Sequence, residues 1–132
     1  MPFDMKRPIL VVDDDPMMLD LVKRFLSRLG FGAIDVVGTI DAAETMVRRG
    51  SYQLVISDLF LEPGGGLELL RSMRSDERTK GVRFLLMTGS VGASVAAMLV
   101  GADGYIMKPF TETDLKQKLD SIARRVEPAP VI

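Results

Sequence analysis

The chain has 132 residues, enough for one domain with a substantial core, and its 47% hydrophobic and 27% charged residues are ordinary for a soluble globular protein. Seventeen basic against eighteen acidic residues leave a net charge of −1, which excludes a broad positive field for nucleic acid or anionic membrane. Cysteine and histidine are both absent, which excludes disulfides, thiolate and histidine metal sites, a cysteine nucleophile, a histidine base and an internal phosphohistidine.

In chain order, Met1–Pro8 is short and mixed, with an acid at Asp4, unlike a signal peptide; residues 1–8 read as an N-terminal tail. Ile9–Val12 is a short apolar run that ends at Asp13-Asp14-Asp15, the pattern of a buried strand. Pro16–Leu29 follows with Met18, Leu21, Val22, Phe25 and Leu29 at helical spacing, and Gly30 supplies the stop. Asp15 before Pro16 suits a helix N-cap, with metal ligation as the alternative reading.

Ala33–Val37 reads as the second strand and Asp41–Arg49 as the second helix, with Ala43, Met46 and Val47 on one face. Gln53–Ser57 then runs into Asp58, and a glycine-rich loop leads to a helix over Leu67–Arg74. Val82–Met87 is the fourth strand. Phe84–Ala102 carries no charge over 19 residues, which approaches membrane-spanning length, but Thr88, Gly89, Ser90, Gly92 and Ser94 break it into a strand, a loop and a short helix near Ser94–Val100. Tyr105–Met107 ends at Lys108-Pro109, and Glu112–Val126 carries the stripe Leu115, Leu119, Ile122 and Val126. Thr111 with Asp114 resembles a capping box. Residues 127–132 read as a tail or the start of a linker.

Five strand–helix units predict an α/β fold, a doubly wound five-stranded parallel sheet with helices on both faces. Right-handed crossovers place every strand end on one edge. Three carboxylates gathered on that edge repel one another, so a metal ion and a lysine are the expected remedy. Taken alone, Asp13 and Asp14 would read as a solvated turn; with Asp58 and Lys108 they read as a site.

The segments ILVVDDDP, LVISD, LLMTG and GADGYIMKPF, in that order, resemble the signatures of response-regulator receiver domains of the single-domain chemotaxis type, over residues 9–126. The resemblance implies a flavodoxin-like receiver fold, with Asp58 as phosphoacceptor. It implies Mg²⁺ held by Asp14 directly, by Asp13 largely through water, by Asp58, and by the backbone carbonyl of Phe60. It further implies Lys108 and Thr88 as phosphate-binding groups, Tyr105 as a switch aromatic and a cis peptide at Lys108–Pro109. Thr88 also reads as a strand-end turn residue, and Tyr105 as an edge tyrosine with a packed ring.

The implied donor is a sensor histidine kinase or histidine phosphotransfer protein acting in trans. The implied setting is the cytoplasm, and the role that of a signalling domain rather than a turnover enzyme. Output is then expected through a protein partner or onward phosphotransfer, with neither nucleic acid nor membrane bound directly.

The sequence departs from the family pattern in several places. Glu62 stands where proline is usual and Pro63 follows; Gly65 stands where an acid or asparagine is common, and three glycines suggest an adaptable loop. Gly89 replaces the usual alanine, and the span from Thr88 to Lys108 is about two residues short. The segment Val95–Val100 is apolar all round, so together with Tyr105 and the last helix it is expected to form a partner or homodimer face, or else to be buried by its own loop. Bulky Phe60 and a weak Ser90 predict slow loss of phosphate. Two other readings stay open: a receiver-like interaction module that works without phosphate, and a hydrolase with its nucleophile within Asp13–Asp15.

Overall fold

A computed structural model describes residues 3–58, 65–89, 97–98 and 100–124. The strands are β1 (Ile9–Val12), β2 (Ile34–Val37), β3 (Leu54–Asp58), β4 (Arg83–Thr88) and β5 (Gly104–Met107). Among the described residues the helices are α1 (Pro16–Arg28), α2 (Ile40–Arg49), α3 (Gly65–Arg74) and α4 (Glu112–Arg124). All the strands pair in parallel in the order β2-β1-β3-β4-β5. This is the doubly wound architecture expected from the alternation of strand and helix patterns.

Strand residues alternate between two cores, as the period of two requires. Leu10, Val12, Val55, Phe84 and Leu86 face Ala43, Val47, Leu69, Leu70 and Met73 of α2 and α3. Ile9, Val11, Leu54, Ile56, Leu85, Met87 and Ile106 face Val22 and Leu26 of α1 and Leu115, Leu119 and Ile122 of α4. Both faces of β1 and β3 are therefore covered, which is why those strands read as unbroken apolar runs.

Helix ends follow their local chemistry. The Asp15 side chain accepts from the Met17 N–H at 2.9 Å with Pro16 at the first helical position, so the cap reading of Asp15 holds. Thr111 and Asp114 bond reciprocally, at 2.9 and 3.1 Å, to start α4. On α1 the buried face differs from expectation. Val22 and Leu26 are fully buried, whereas Leu21 is 37% exposed, because α1 meets the sheet along the row that includes residue 26. The third helix begins two residues before the expected Leu67, at Gly65 (φ 74°) and Gly66.

The segment read as the N-terminal tail lies docked on the domain. Gln53 accepts from the Asp4 N–H at 2.9 Å and donates to the carbonyls of Asp4 and Arg7, while the Gly32 N–H donates to the Met5 carbonyl. A second long-range lock is Arg74. Its guanidinium donates to the carbonyls of Gly101, Lys80 and Val82 and pairs with Asp103 at 3.1 Å. Asp103 in turn accepts from the Phe84 N–H at 2.8 Å. One side chain thus ties the end of α3 to the loops before β4 and β5. Arg74→Ala removes all of these bonds from a site only 20% exposed, and is expected to lower stability by about 2–4 kcal/mol in urea titrations with an unchanged m-value.

Several expectations fall outside the described residues: the Phe60 carbonyl, Glu62 and Pro63, Ser90, Val126 with the C-terminal tail, and most of the helix near 94–100. Of that helix, Ala97 is fully buried in the core and Met98 is 38% exposed. No helix among the described residues is long and apolar enough to cross a membrane.

Candidate functional site

Register decides what meets at the carboxyl edge of the sheet. Val12 pairs with Ser57, Asp58 with Met87, and Thr88 with Met107. Asp13 and Asp14 leave the end of β1, Asp58 and Thr88 are the last residues of β3 and β4, and Lys108 follows the last residue of β5. Four separate chain segments therefore deliver their polar residues to one level of the sheet.

Asp13, Asp14 and Asp58 each present a carboxylate oxygen within 4.8 Å of the others. Asp13 is 1% exposed and Asp58 8%, while Asp14 faces solvent. The Lys108 ammonium enters this group from the side, 3.0 Å from Asp13 Oδ2 and 3.2 Å from Asp58 Oδ1. Its own backbone N–H donates to the Thr88 carbonyl at 2.8 Å, so its position is fixed at both ends of the residue. The Lys108–Pro109 peptide is cis.

The oxygens are not equivalent. Asp13 Oδ1 accepts from the Asp15 N–H at 2.9 Å and Oδ2 accepts from Lys108, so both Asp13 oxygens are already engaged. Lys108 contacts Asp58 through Oδ1. One lysine against three carboxylates leaves an excess of negative charge on hard oxygen donors, the donor set suited to Mg²⁺ or Ca²⁺. The 4.8 Å grouping fits a small divalent ion that keeps several waters.

Burial pushes the Asp13 carboxyl above its ordinary range, and the nearby Asp58 charge adds to this, against the pull of the Asp15 N–H and Lys108. For Lys108, burial pulls downward but is outweighed by the hydrogen bond and charges of Asp13 and Asp58, so its affinity for its proton rises. A carboxyl raised from 3.8 favours its protonated form in the fold. The stability this carries is complete at acid pH and is lost as pH rises through the raised value. At pH 7 ionised Asp13 therefore burdens the metal-free protein. Asp13→Asn is expected to raise the Tm of that form in EDTA at neutral pH, and to lose the advantage at acid pH.

Thr88 is fully buried at the strand end beside Lys108. Tyr105 lies elsewhere: it pairs with Leu86, two residues back from the Thr88–Met107 level. Its ring is half-buried against the core beneath α2 and α3, with the Lys118 ammonium 4.9 Å from the ring centre.

Two residues next to the site carry roles that the sequence pattern concealed. The Ser57 hydroxyl, fully buried, donates to the Asp58 carbonyl at 3.0 Å. A Cβ on Gly66 would stand 2.4 Å from that same carbonyl oxygen. Gly65 takes a left-handed turn (φ 74°) and Gly66 makes a close backbone approach, each of which calls for glycine; the rest of the loop expected to be adaptable lies outside the described residues. The signal available in the sequence was a Gly-Gly pair directly before a helical stripe.

Comparison with known proteins gives a concordant picture. A family model described as response regulator receiver domain matches residues 9–120. Chemotaxis protein CheY-3 of Vibrio cholerae serotype O1 is 35% identical over 120 residues, covering 89% of this chain and 92% of that protein. The structure of chemotaxis response regulator CheY4 of Vibrio cholerae superposes with a TM-score of 0.82 at 22% identity, over 89% of this chain and 98% of that one. The receiver domain of sensor histidine kinase PA1611 from Pseudomonas aeruginosa, solved with a magnesium ion coordinated in its active site cleft, gives 0.79 at 23% identity, over 87% of this chain and 95% of that one.

Proposed function

The chain belongs to the response regulator receiver domain family, and we propose that it accepts a phosphoryl group on Asp58 from the phosphohistidine of a sensor kinase or phosphotransfer protein. The observation that carries this reading is the Lys108 ammonium bridging Asp58 and Asp13 beside Asp14. An Asp58 carboxylate oxygen attacks phosphorus, the P–N bond to the donor imidazole breaks, and the electron pair returns to that nitrogen. Phosphoryl transfer of this kind needs alignment and positive charge more than it needs a base, which suits a chain without histidine.

Asp58 and Asp14 would hold Mg²⁺ directly. Asp13, whose oxygens are both engaged, would hold it through water, and the Phe60 carbonyl would supply the remaining protein ligand. When bound, the ion neutralises the carboxylates and the incoming phosphoryl oxygens. Lys108 holds its proton firmly and contributes a fixed positive charge on the same oxygens. The Thr88 hydroxyl, at the end of β4, is the proposed contact for a phosphoryl oxygen in the modified state.

In this reading residues 9–126 form the signalling domain, which works in the cytoplasm and catalyses only its own modification. Output is a protein contact at the surface around Tyr105, Met98 and α4, where a second copy of the chain is one candidate partner.

Incubation with a small acyl phosphate should add one phosphate to the intact mass in the presence of Mg²⁺, and nothing in EDTA or in Asp58→Asn. Bound Mg²⁺ without an adduct would support the phosphate-independent interaction module instead. Turnover of added phosphate esters would support a hydrolase.

A further inference from the structure

At the opposite edge of the sheet, away from the acidic group, the strands begin beside an open cleft of about 610 Å³. It lies between the N-terminal arm, the turn before β3 and the turn before β4. Its size is that of a small-molecule site. The charged residues lining it are Arg7, Arg78, Lys80 and Arg83 against the single acid Glu77. Three of these cations have a carboxylate partner, in Asp76, Glu77 and Asp103, so the excess of positive charge over the cleft comes from Arg7 and from whatever those pairs release.

Arg83 is tied at 3.3 Å to Asp103, which is largely buried, whereas the other three cations are held by exposed contacts. Arg78 meets Asp76 through two nitrogens, Nη2 at 3.1 Å and Nε at 3.3 Å, and Lys80 pairs with Glu77 at 2.8 Å; both basic side chains are more than half exposed, so an incoming anion competes with these acids for them. Such surface pairs bind weakly and yield to a multiply charged competitor. Arg7 donates to the Ser51 carbonyl at 3.3 Å, which leaves its charge uncompensated by that contact. A guanidinium offers five donors in a fork matched to phosphate oxygens, so two arginines and a lysine around one cleft favour an anion with several such oxygens.

Two of the neutral polar side chains in the same walls, Tyr52 and Gln53, are already committed. Tyr52 donates its hydroxyl to Asp35 at 2.6 Å, and the Gln53 amide is engaged with the N-terminal arm. The cleft therefore offers a ligand mainly charged groups.

We propose that this cleft is a binding site for oligophosphate anions, a nucleoside triphosphate or an inorganic polyphosphate chain, held through Arg7, Arg78 and Lys80. The inference rests on the cleft alone and stands apart from the phosphoacceptor reading of the opposite edge.

The test is a titration of ¹⁵N-labelled protein with inorganic triphosphate, ATP, GTP, adenosine and a polyglutamate peptide, in EDTA, followed by amide chemical shifts. Expected are shifts centred on Ser51–Gln53 and Gly81–Arg83, with the three triphosphate compounds within about threefold of one another in affinity and adenosine inert. The mapping on the unmodified protein needs no variant. Arg7→Glu with Lys80→Glu should weaken binding by at least roughly tenfold with the melting curve retained, and Lys108→Ala should leave it within about twofold. Shifts confined to the Lys108 edge, binding of adenosine equal to that of ATP, a response to polyglutamate alone, or no response at millimolar triphosphate would each overturn the proposal.

Discussion

Replacing Lys108 with alanine is expected to slow phosphorylation of Asp58 by about 10²- to 10³-fold, the usual consequence of removing one preorganised charge from a site where negative charge develops. The ammonium lies within hydrogen-bonding reach of both Asp13 and Asp58, and both carboxylates are almost entirely screened from water. Its removal leaves two buried carboxylates facing each other, which should also cost about 1–3 kcal/mol of stability in EDTA at pH 7.

The same loss should strengthen Mg²⁺ binding, because a competing positive charge has left the pocket. Calorimetric Mg²⁺ titration and phosphorylation rates would therefore move in opposite directions in Lys108→Ala. That pairing separates loss of charge stabilisation from simple unfolding, which would weaken both. A rate within about threefold of the parent protein would show that Lys108 is a structural counter-ion only.

Gly66→Ala is the second large effect, and it acts through backbone. Its Cβ would meet the Asp58 carbonyl oxygen at 2.4 Å, the Asp58 carbonyl carbon at 3.3 Å and Ser57 Oγ at 3.2 Å. Two of these three atoms are main chain in the central strand of the sheet, so they cannot rotate away. Helix α3 must instead shift outward from the end of β3. The alanine regains about 1 kcal/mol of helix propensity, but the displacement should leave a net destabilisation of about 1–3 kcal/mol.

Because Asp58 itself anchors the clash, the phosphorylation rate should fall further than stability alone accounts for; misplacement of a reacting group by about 1 Å costs on the order of 10²-fold. Gly81→Ala is the control. A Cβ there meets nothing within 4 Å, and the change should stay within about 0.5 kcal/mol. Equal effects at the two glycines would refute the steric account.

The strands and the acidic edge were legible in the sequence because they rest on local pattern. Ile9–Val12 and Leu54–Asp58 are apolar runs stopped by acids, and such runs become central strands whatever surrounds them. The cap at Asp15 and the box at Thr111 and Asp114 were legible for the same reason, since each needs only neighbours within a turn.

What the pattern concealed depends on partners distant in the chain. Gln53 is 49 residues from Asp4, and Arg74 is 29 from Asp103; no spacing rule connects either pair. Leu21 belongs to the periodic stripe of α1 yet is exposed, because helical periodicity gives a stripe about 100° wide without saying where the sheet lies beneath it. At Gly66 a flexible loop and a close backbone approach look alike in sequence. Only the 2.4 Å contact with Asp58 tells them apart.

The central claim is that one carboxylate at the end of β3 receives the phosphoryl group. Its most direct test is to treat the protein with an acyl phosphate and Mg²⁺, reduce the acyl phosphate linkage with borohydride, and map the modified residue by peptide mass spectrometry. The expected result is a single reduced residue at position 58, absent when Mg²⁺ is chelated. Reduction at Asp13, Asp14 or Asp15, or an adduct on a residue outside the carboxyl edge of the sheet, would contradict it.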